Sequence, residues 1–170
     1  KFYINLGEYK EHSKKTQFID AITAAFQKIQ SVSTANIQFQ YLGETDILPR
    51  HDDVSVIYFD KNKEFSPAHG ATLNMKTDSN GYLTSADIAI VPSQSRVDRP
   101  ETQLYALLLH EALHFIGLEH SKSGKDSAVF ANTVNLTLSA DDIAGISALY
   151  PNQGNHISLY TGTVKGKVSL

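Results

Sequence analysis

The sequence predicts an α/β (α+β) fold, one domain of five short strands and three helices. Three observations carry this. Five short runs alternate apolar with polar residues or are rich in β-branched ones. Three longer segments show helical spacing or helix start and stop signals. A chain of 170 residues makes about one domain, at a soft prior of ~100–200 residues each, and can bury a real core.

The elements follow in order. Phe2 to Leu6 reads as a first strand. Thr16 to Ile29 is a helix, because Phe18, Ile19, Ile22, Ala25, Phe26 and Ile29 recur three and four apart, with Ser13 or Thr16 as its cap. Ile37 to Leu42 alternates and reads as a half-buried strand. Val54 to Phe59 is β-branched and aromatic, as in a more deeply buried strand. Pro67 to Met75 is a further strand, and Asp78-Ser79-Asn80-Gly81 is a turn by composition. Ala86 to Val91 is a short apolar strand ended by Pro92. Pro100 to Ile116 is a long helix, with Pro100 and Glu101 suited to its first turn and Gly117 to its stop. Ser139-Ala140-Asp141-Asp142 opens a last helix that runs to about Tyr150, before Pro151. No internal repeat interrupts this order. From Asn152 to Leu170 the chain is rich in Gly, Thr and Ser and reads as a tail, a hairpin or a linker.

Composition narrows the function classes. Apolar residues are 41% and charged residues 19% of the chain, as in an ordinary globular protein. Fifteen basic against eighteen acidic residues leave a formal net charge of -3, which argues against nucleic acid as a partner. Without cysteine there is no disulfide framework, thiolate zinc site or cysteine nucleophile. No apolar stretch approaches the ~18 residues of a membrane-spanning helix. The most apolar run, Tyr105 to Leu118, is interrupted by His110, Glu111 and His114. The chain begins at Lys1 without an initiator methionine or a charged-then-apolar leader, as expected of a processed or trimmed chain.

Those interruptions carry the chemistry. His110-Glu111-Ala112-Leu113-His114 is an H-E-x-x-H motif on a predicted helix. Residues four apart share a helix face, so both imidazoles can reach one metal ion. Gly117 permits the left-handed turn that ends the helix. The chain can then fold back and bring His120 to the same ion from a third direction. Three protein ligands with one open position are the arrangement of catalytic zinc. At this chain's own residue frequencies, the five fixed positions arise by chance in about 3 of 100,000 such sequences, far more rarely than the short motif alone. The expected chemistry is a zinc-activated water, with Glu111 as the general base and then the general acid.

The extended pattern His110-Glu111-x-x-His114-x-x-Gly117-x-x-His120 resembles the zinc motif of the metzincin metallopeptidases. The matrixin branch, which includes the matrix metalloproteinases, looks closest. Ser121 after the third histidine fits that branch. So does Leu138 to Tyr150, which resembles the matrixin C-terminal helix and its L-x-x-D-D-I-x-G-I-x-x-L-Y ending. The resemblance covers residues 1–150, taken as a catalytic domain, and leaves 151–170 as an extension of unknown role.

The resemblance implies a twisted five-stranded mixed sheet with a backing helix, an active-site helix beneath it and a C-terminal helix. It implies one catalytic zinc on His110, His114 and His120, with Glu111 as the catalytic residue. A peptide substrate would add as an extra strand along the Ala68 to Met75 edge. Asn132 to Leu136 would line the pocket for the residue after the cut, and Asp141-Asp142 would anchor the loop beneath the zinc as well as starting a helix.

Three features depart from the family pattern. Phe130 stands where metzincins carry a methionine beneath the metal. His51-Asp52-Asp53 and His69 do not reproduce the spacing of a second, structural zinc. Asp78-x-Asn80-Gly81 resembles part of a calcium loop, but it lacks a terminal acid at the right distance, and such a sequence is much more often a plain turn.

The reading is therefore a secreted or cell-envelope zinc endopeptidase, a monomer acting on protein or peptide, with no membrane insertion. A rival reading is a weakened or inactive zinc-binding module that holds a peptide. Another is an amide hydrolase with a non-protein substrate.

Overall fold

A computed structural model describes residues 1–7, 12–60, 62, 64–65, 70–91, 101–122, 125–130 and 135–152. Among these, β1 (Phe2–Asn5), β2 (Tyr41–Glu44), β3 (Val56–Phe59), β4 (Gly70–Thr77) and β5 (Leu83–Ile90) form one sheet in the order β2-β1-β3-β5-β4. The β1–β2, β1–β3 and β3–β5 pairs are parallel, and β4 is antiparallel to β5. The sheet is mixed, as expected, and β4 lies at one edge. The helices among the described residues are α1 (His12–Gln30), α2 (Glu101–Phe115) and α3 (Ala140–Leu149).

The predicted apolar stripe of α1 is its buried face: Phe18, Ile22, Ala25, Phe26 and Ile29 are all buried, and Ile19 is partly so. Phe26 stacks on Phe2 of β1 at 4.6 Å and meets Phe115 of α2 edge-on at 5.2 Å, so one side chain joins sheet and both helices. Ile4, Ile57, Ile88, Leu109 and Leu113 are fully buried in the same core. Burying each such side chain stabilises the fold by roughly 1.5–3 kcal/mol.

Several boundaries differ from expectation. α1 begins at His12, so Ser13 and Thr16 lie inside it instead of capping it. The second strand is shifted from 37–42 to 41–44, because the parallel register starts at Phe2 opposite Tyr41. Ile37 and Phe39 still pack on the core, but the Phe39 amide donates to the Gln30 side chain, 2.8 Å away, and not to a strand. β5 starts at Leu83, three residues before the predicted Ala86, because the 78–81 turn makes β4 and β5 a continuous hairpin. In that turn Asp78 Oδ1 accepts the amides of Asn80 and Tyr82 at 2.8 and 2.9 Å, and Gly81 takes φ +84°. The plain-turn reading accounts for these residues, and nothing in their geometry supports calcium. Pro67 to His69, Pro92, Pro100 and residues 153–170 lie outside the described residues.

The edge strand β4 is regular only from Gly70 to Leu73. Asn74 has φ +52°, a left-handed conformation that asparagine tolerates better than most residues, and the register shifts before Lys76. Its side chain turns inward, and Nδ2 donates to Asp87 Oδ2 at 2.9 Å. Asp87 is fully buried on β5 and also accepts the amides of Arg50 (2.9 Å) and Val56 (2.8 Å). One carboxylate thus ties the bulge to the loop before β3.

α3 closes the fold. Ser139 is its N-cap in a capping box with Asp142, each side chain accepting the other's backbone amide. Beyond its end, Pro151 bridges to Ala35, the Asn36 amide donates to Tyr150 O at 2.8 Å, and the Asn152 amide donates to Thr34 O at 3.1 Å.

Candidate metal centre

Helix α2 buries Leu109, Ala112 and Leu113 in the core and leaves His110 and His114 half-buried, one turn apart. The helix ends in a Schellman arrangement: the Gly117 amide donates to His114 O at 2.8 Å and the Leu118 amide to Leu113 O at 3.1 Å. Gly117 has φ +97°, which favours glycine. The reversal is braced by α3. A Cβ on Gly145 would stand only 2.6 Å from Leu118 Cδ2, and Tyr150 donates its hydroxyl to Ile116 O at 2.9 Å. The chain returns past the helix end, carrying exposed His120 to the two helical histidines.

The rings are oriented by the main chain. His110 Nδ1 lies 2.8 Å from Ala128 O, and His114 Nδ1 lies 2.6 Å from Leu118 O. A carbonyl oxygen only accepts, so each Nδ1 carries the proton and donates it. In a neutral ring Nε2 is then a bare lone pair. Burial pushes His110 down to about 4, with His114 and His120 adding to the effect against the Ala128 hydrogen bond. Burial lowers His114 as well, with His120 adding to it against Leu118 and Glu119.

The Nε2 atoms of His114 and His120 stand 3.0 and 3.2 Å from His110 Nε2, and one ligand atom from each of the three lies within 4.8 Å of the others. His110 and His114 have no proton to share between their Nε2 atoms, so their approach is a convergence of lone pairs. A cation relieves that repulsion, and nitrogen donors held by second-layer carbonyls suit zinc.

The loop that holds His110 is itself held from α3. Asp142, 2% exposed, accepts the Ala128 amide (2.9 Å) and the Ser127 hydroxyl (2.6 Å), besides the Ser139 amide and hydroxyl. Burial alone would raise its carboxyl, but these hydrogen bonds together hold it below its ordinary value. Asn135 Nδ2 closes the loop on Lys125 O and Ser127 O. The Asp141-Asp142 pair therefore both starts a helix and anchors a loop, with Asp141 accepting the Ser121 hydroxyl at 2.9 Å. Phe130 is half-buried and its amide closes the 127–130 turn at 3.1 Å. The grip on His110 comes from the Ala128 carbonyl within this turn.

Glu111 is only 4% exposed and reaches the edge strand. Thr72 Oγ1 lies 2.9 Å from Glu111 O and 3.2 Å from Glu111 Oε2, and its one hydroxyl proton is shared between these two acceptors. Burial pushes this carboxyl up to about 7, with hydrogen bonds from the Thr72 side chain and main chain pulling the other way. A carboxyl near neutrality can both take and return a proton.

The sequence model of the matrixin family matches residues 3–151. The chain belongs to the matrixin family. This matrixin is thus of the zinc metallopeptidase kind, and the five-stranded mixed sheet with three helices among its described residues is the family's catalytic-domain fold. No curated protein matches the chain.

The structure brings His110, His114 and His120 together and sets Glu111 beside them on α2. His51 is exposed on the loop before β3 and does not join them. His69 and Asn132 to Val134 lie outside the described residues, as do the side chains of His12 and His156. Sequence reasoning missed Thr72, Gly70 and the carbonyls of Leu118 and Ala128. No spacing links Thr72 to a residue 39 positions away, and main-chain acceptors leave no signature in a sequence.

Proposed function

We propose that this matrixin is an endopeptidase in which His110, His114 and His120 hold one zinc ion and Glu111 is the acid–base residue. The observation that carries this reading is the convergence of three imidazole nitrogens, two of them bare lone pairs, beside a buried carboxyl on the same helix. Zinc in such a site supplies Lewis acidity toward a carbonyl oxygen and toward water.

The chain's own residues do the rest. Glu111 accepts a proton as water adds to the peptide carbonyl, then passes it to the amine as the C–N bond breaks. The regular part of β4 offers its outer edge, away from β5, to an extended peptide through main-chain hydrogen bonds. No helix among the described residues is long and apolar enough to cross a membrane, and an extracytoplasmic site of action follows the habit of the family.

Hydrolysis of a broad quenched-fluorescence peptide library by wild type and Glu111→Ala, both with zinc content determined, tests the reading. Cleavage that is lost in the variant while zinc stays bound is the expected result. A fully zinc-loaded wild type that cleaves nothing would replace it with a peptide-holding module.

A further inference from the structure

We propose that Thr72, on the substrate-side edge strand, is a positioning residue for Glu111, whose carboxylate it holds by its hydroxyl in a slot that Gly70 leaves open. This rests on the acid–base reading of Glu111 given above.

The geometry is two-sided. Thr72 Oγ1 reaches both the main-chain oxygen and Oε2 of Glu111. It therefore references the carboxylate to the helix backbone of the same residue. On the other side, a Cβ on Gly70 would stand 3.1 Å from Glu111 Oε1 and 3.2 Å from its Cγ. Residues 70 and 72 point to the same face of β4, as alternate strand residues must. The Thr72 hydroxyl and main chain both donate to the carboxylate, and Oε1 faces the missing side chain of Gly70. A glutamate has three side-chain torsions, and ordering them costs entropy that each hydrogen-bond partner helps to offset.

The placement also joins two functions. Among the described residues β4 pairs with β5 alone, and its opposite edge is the one a peptide would extend. The strand that receives the substrate and the group that moves the proton are thereby set in one register, without contact from Thr72 to any of the three histidines among the hydrogen bonds described. Thr72 should therefore govern turnover and leave metal affinity alone.

The test uses the whole chain, zinc-loaded, as Thr72→Val, Thr72→Ser and wild type, with Glu111→Ala as the reference. The valine variant keeps shape and loses the hydroxyl, while serine keeps the hydroxyl. We expect Thr72→Val to lower kcat about tenfold with KM and zinc affinity within about twofold, and Thr72→Ser to stay within about threefold of wild type. A valine variant slowed by less than about fivefold overturns the inference. So does a serine variant as slow as valine, or a zinc affinity that falls with the rate. Thr72→Ala replaces valine if the latter does not fold. Crystal structures give a readout independent of turnover: the Glu111 carboxylate keeps its place in Thr72→Ser and leaves it in Thr72→Val, and retention in valine overturns the inference. Unchanged cleavage by Glu111→Ala would instead remove the reading on which this one rests.

Discussion

Asp142 supports His110 without touching it: its carboxylate takes the Ala128 amide at 2.9 Å, and Ala128 O takes His110 Nδ1 at 2.8 Å. The same carboxylate closes the capping box of α3. Helix start, loop and imidazole are therefore one connected unit. Replacing Asp142 by alanine strands the donors of Ser127, Ala128 and Ser139, each costing about 1–3 kcal/mol if buried and unpaired. We expect a net loss of about 3 kcal/mol, or roughly 6–12 °C in Tm for a domain of this size. Zinc affinity, measured by chelator competition, should fall at least about tenfold, as for other second-layer partners.

The buried carboxyls Asp142 and Asp87 should respond to pH with opposite signs. Asp142 lies below its ordinary value, so its contribution is present above about pH 4 and is lost as pH falls through the folded-state value. Asp87 is pushed up by burial, against its hydrogen bonds to Asn74, Val56 and Arg50. The folded state then holds its proton more tightly than the unfolded one, and stability falls as pH rises through the raised value. Thermal melts of metal-free protein from pH 7 to pH 3 check this. The advantage of wild type over Asp142→Asn should shrink below about pH 4, whereas its advantage over Asp87→Asn should grow as pH falls from neutrality toward about 4.

Metal should stabilise the fold by mass action. At a zinc concentration of about a thousand times Kd, the gain is roughly 4 kcal/mol. The exposed His120 contributes little to the core, so metal-free His120→Ala should melt within about 2 °C of metal-free wild type. Zinc-dependent stabilisation should nevertheless be largely abolished in that variant. An equal zinc-induced rise in Tm would remove His120 from the ligand set.

Gly117 is required by its conformation. At φ +97° an alanine is strained, at a cost of about 1–2 kcal/mol. Because the turn aims His120, Gly117→Ala should lower zinc affinity as well as Tm. A variant with reduced Tm but wild-type zinc affinity would show that the turn serves the fold alone.

Gly70 is required by its surroundings. Its backbone is ordinary, but an added methyl would crowd Glu111 Oε1 at 3.1 Å and Ile90 Cδ1 at 3.2 Å. Gly70→Ala should cost about 1–3 kcal/mol, as overpacking does, and lower kcat about tenfold. Unchanged kcat would mean that the carboxylate shifts without consequence.

Much of this protein is local in sequence. His110, Glu111 and His114 are related by the helical repeat, Gly117 by the conformation it alone adopts easily, and His120 by the turn that follows. The stripe from Phe18 to Ile29 is legible for the same reason, since a period of about 3.6 residues writes a buried face directly into the chain. Strand boundaries were less legible, because a ladder depends on where its partner begins, and β2 moved to match Phe2. Packing alone decided the rest. It laid β4 across α2 so that Thr72 meets Glu111, and it set α3 under the loop so that Asp142 reaches Ala128. Those pairs are 39 and 14 residues apart. Contacts at such separations are set by how the buried faces of helices and sheet fit together, which no repeat within one segment can encode.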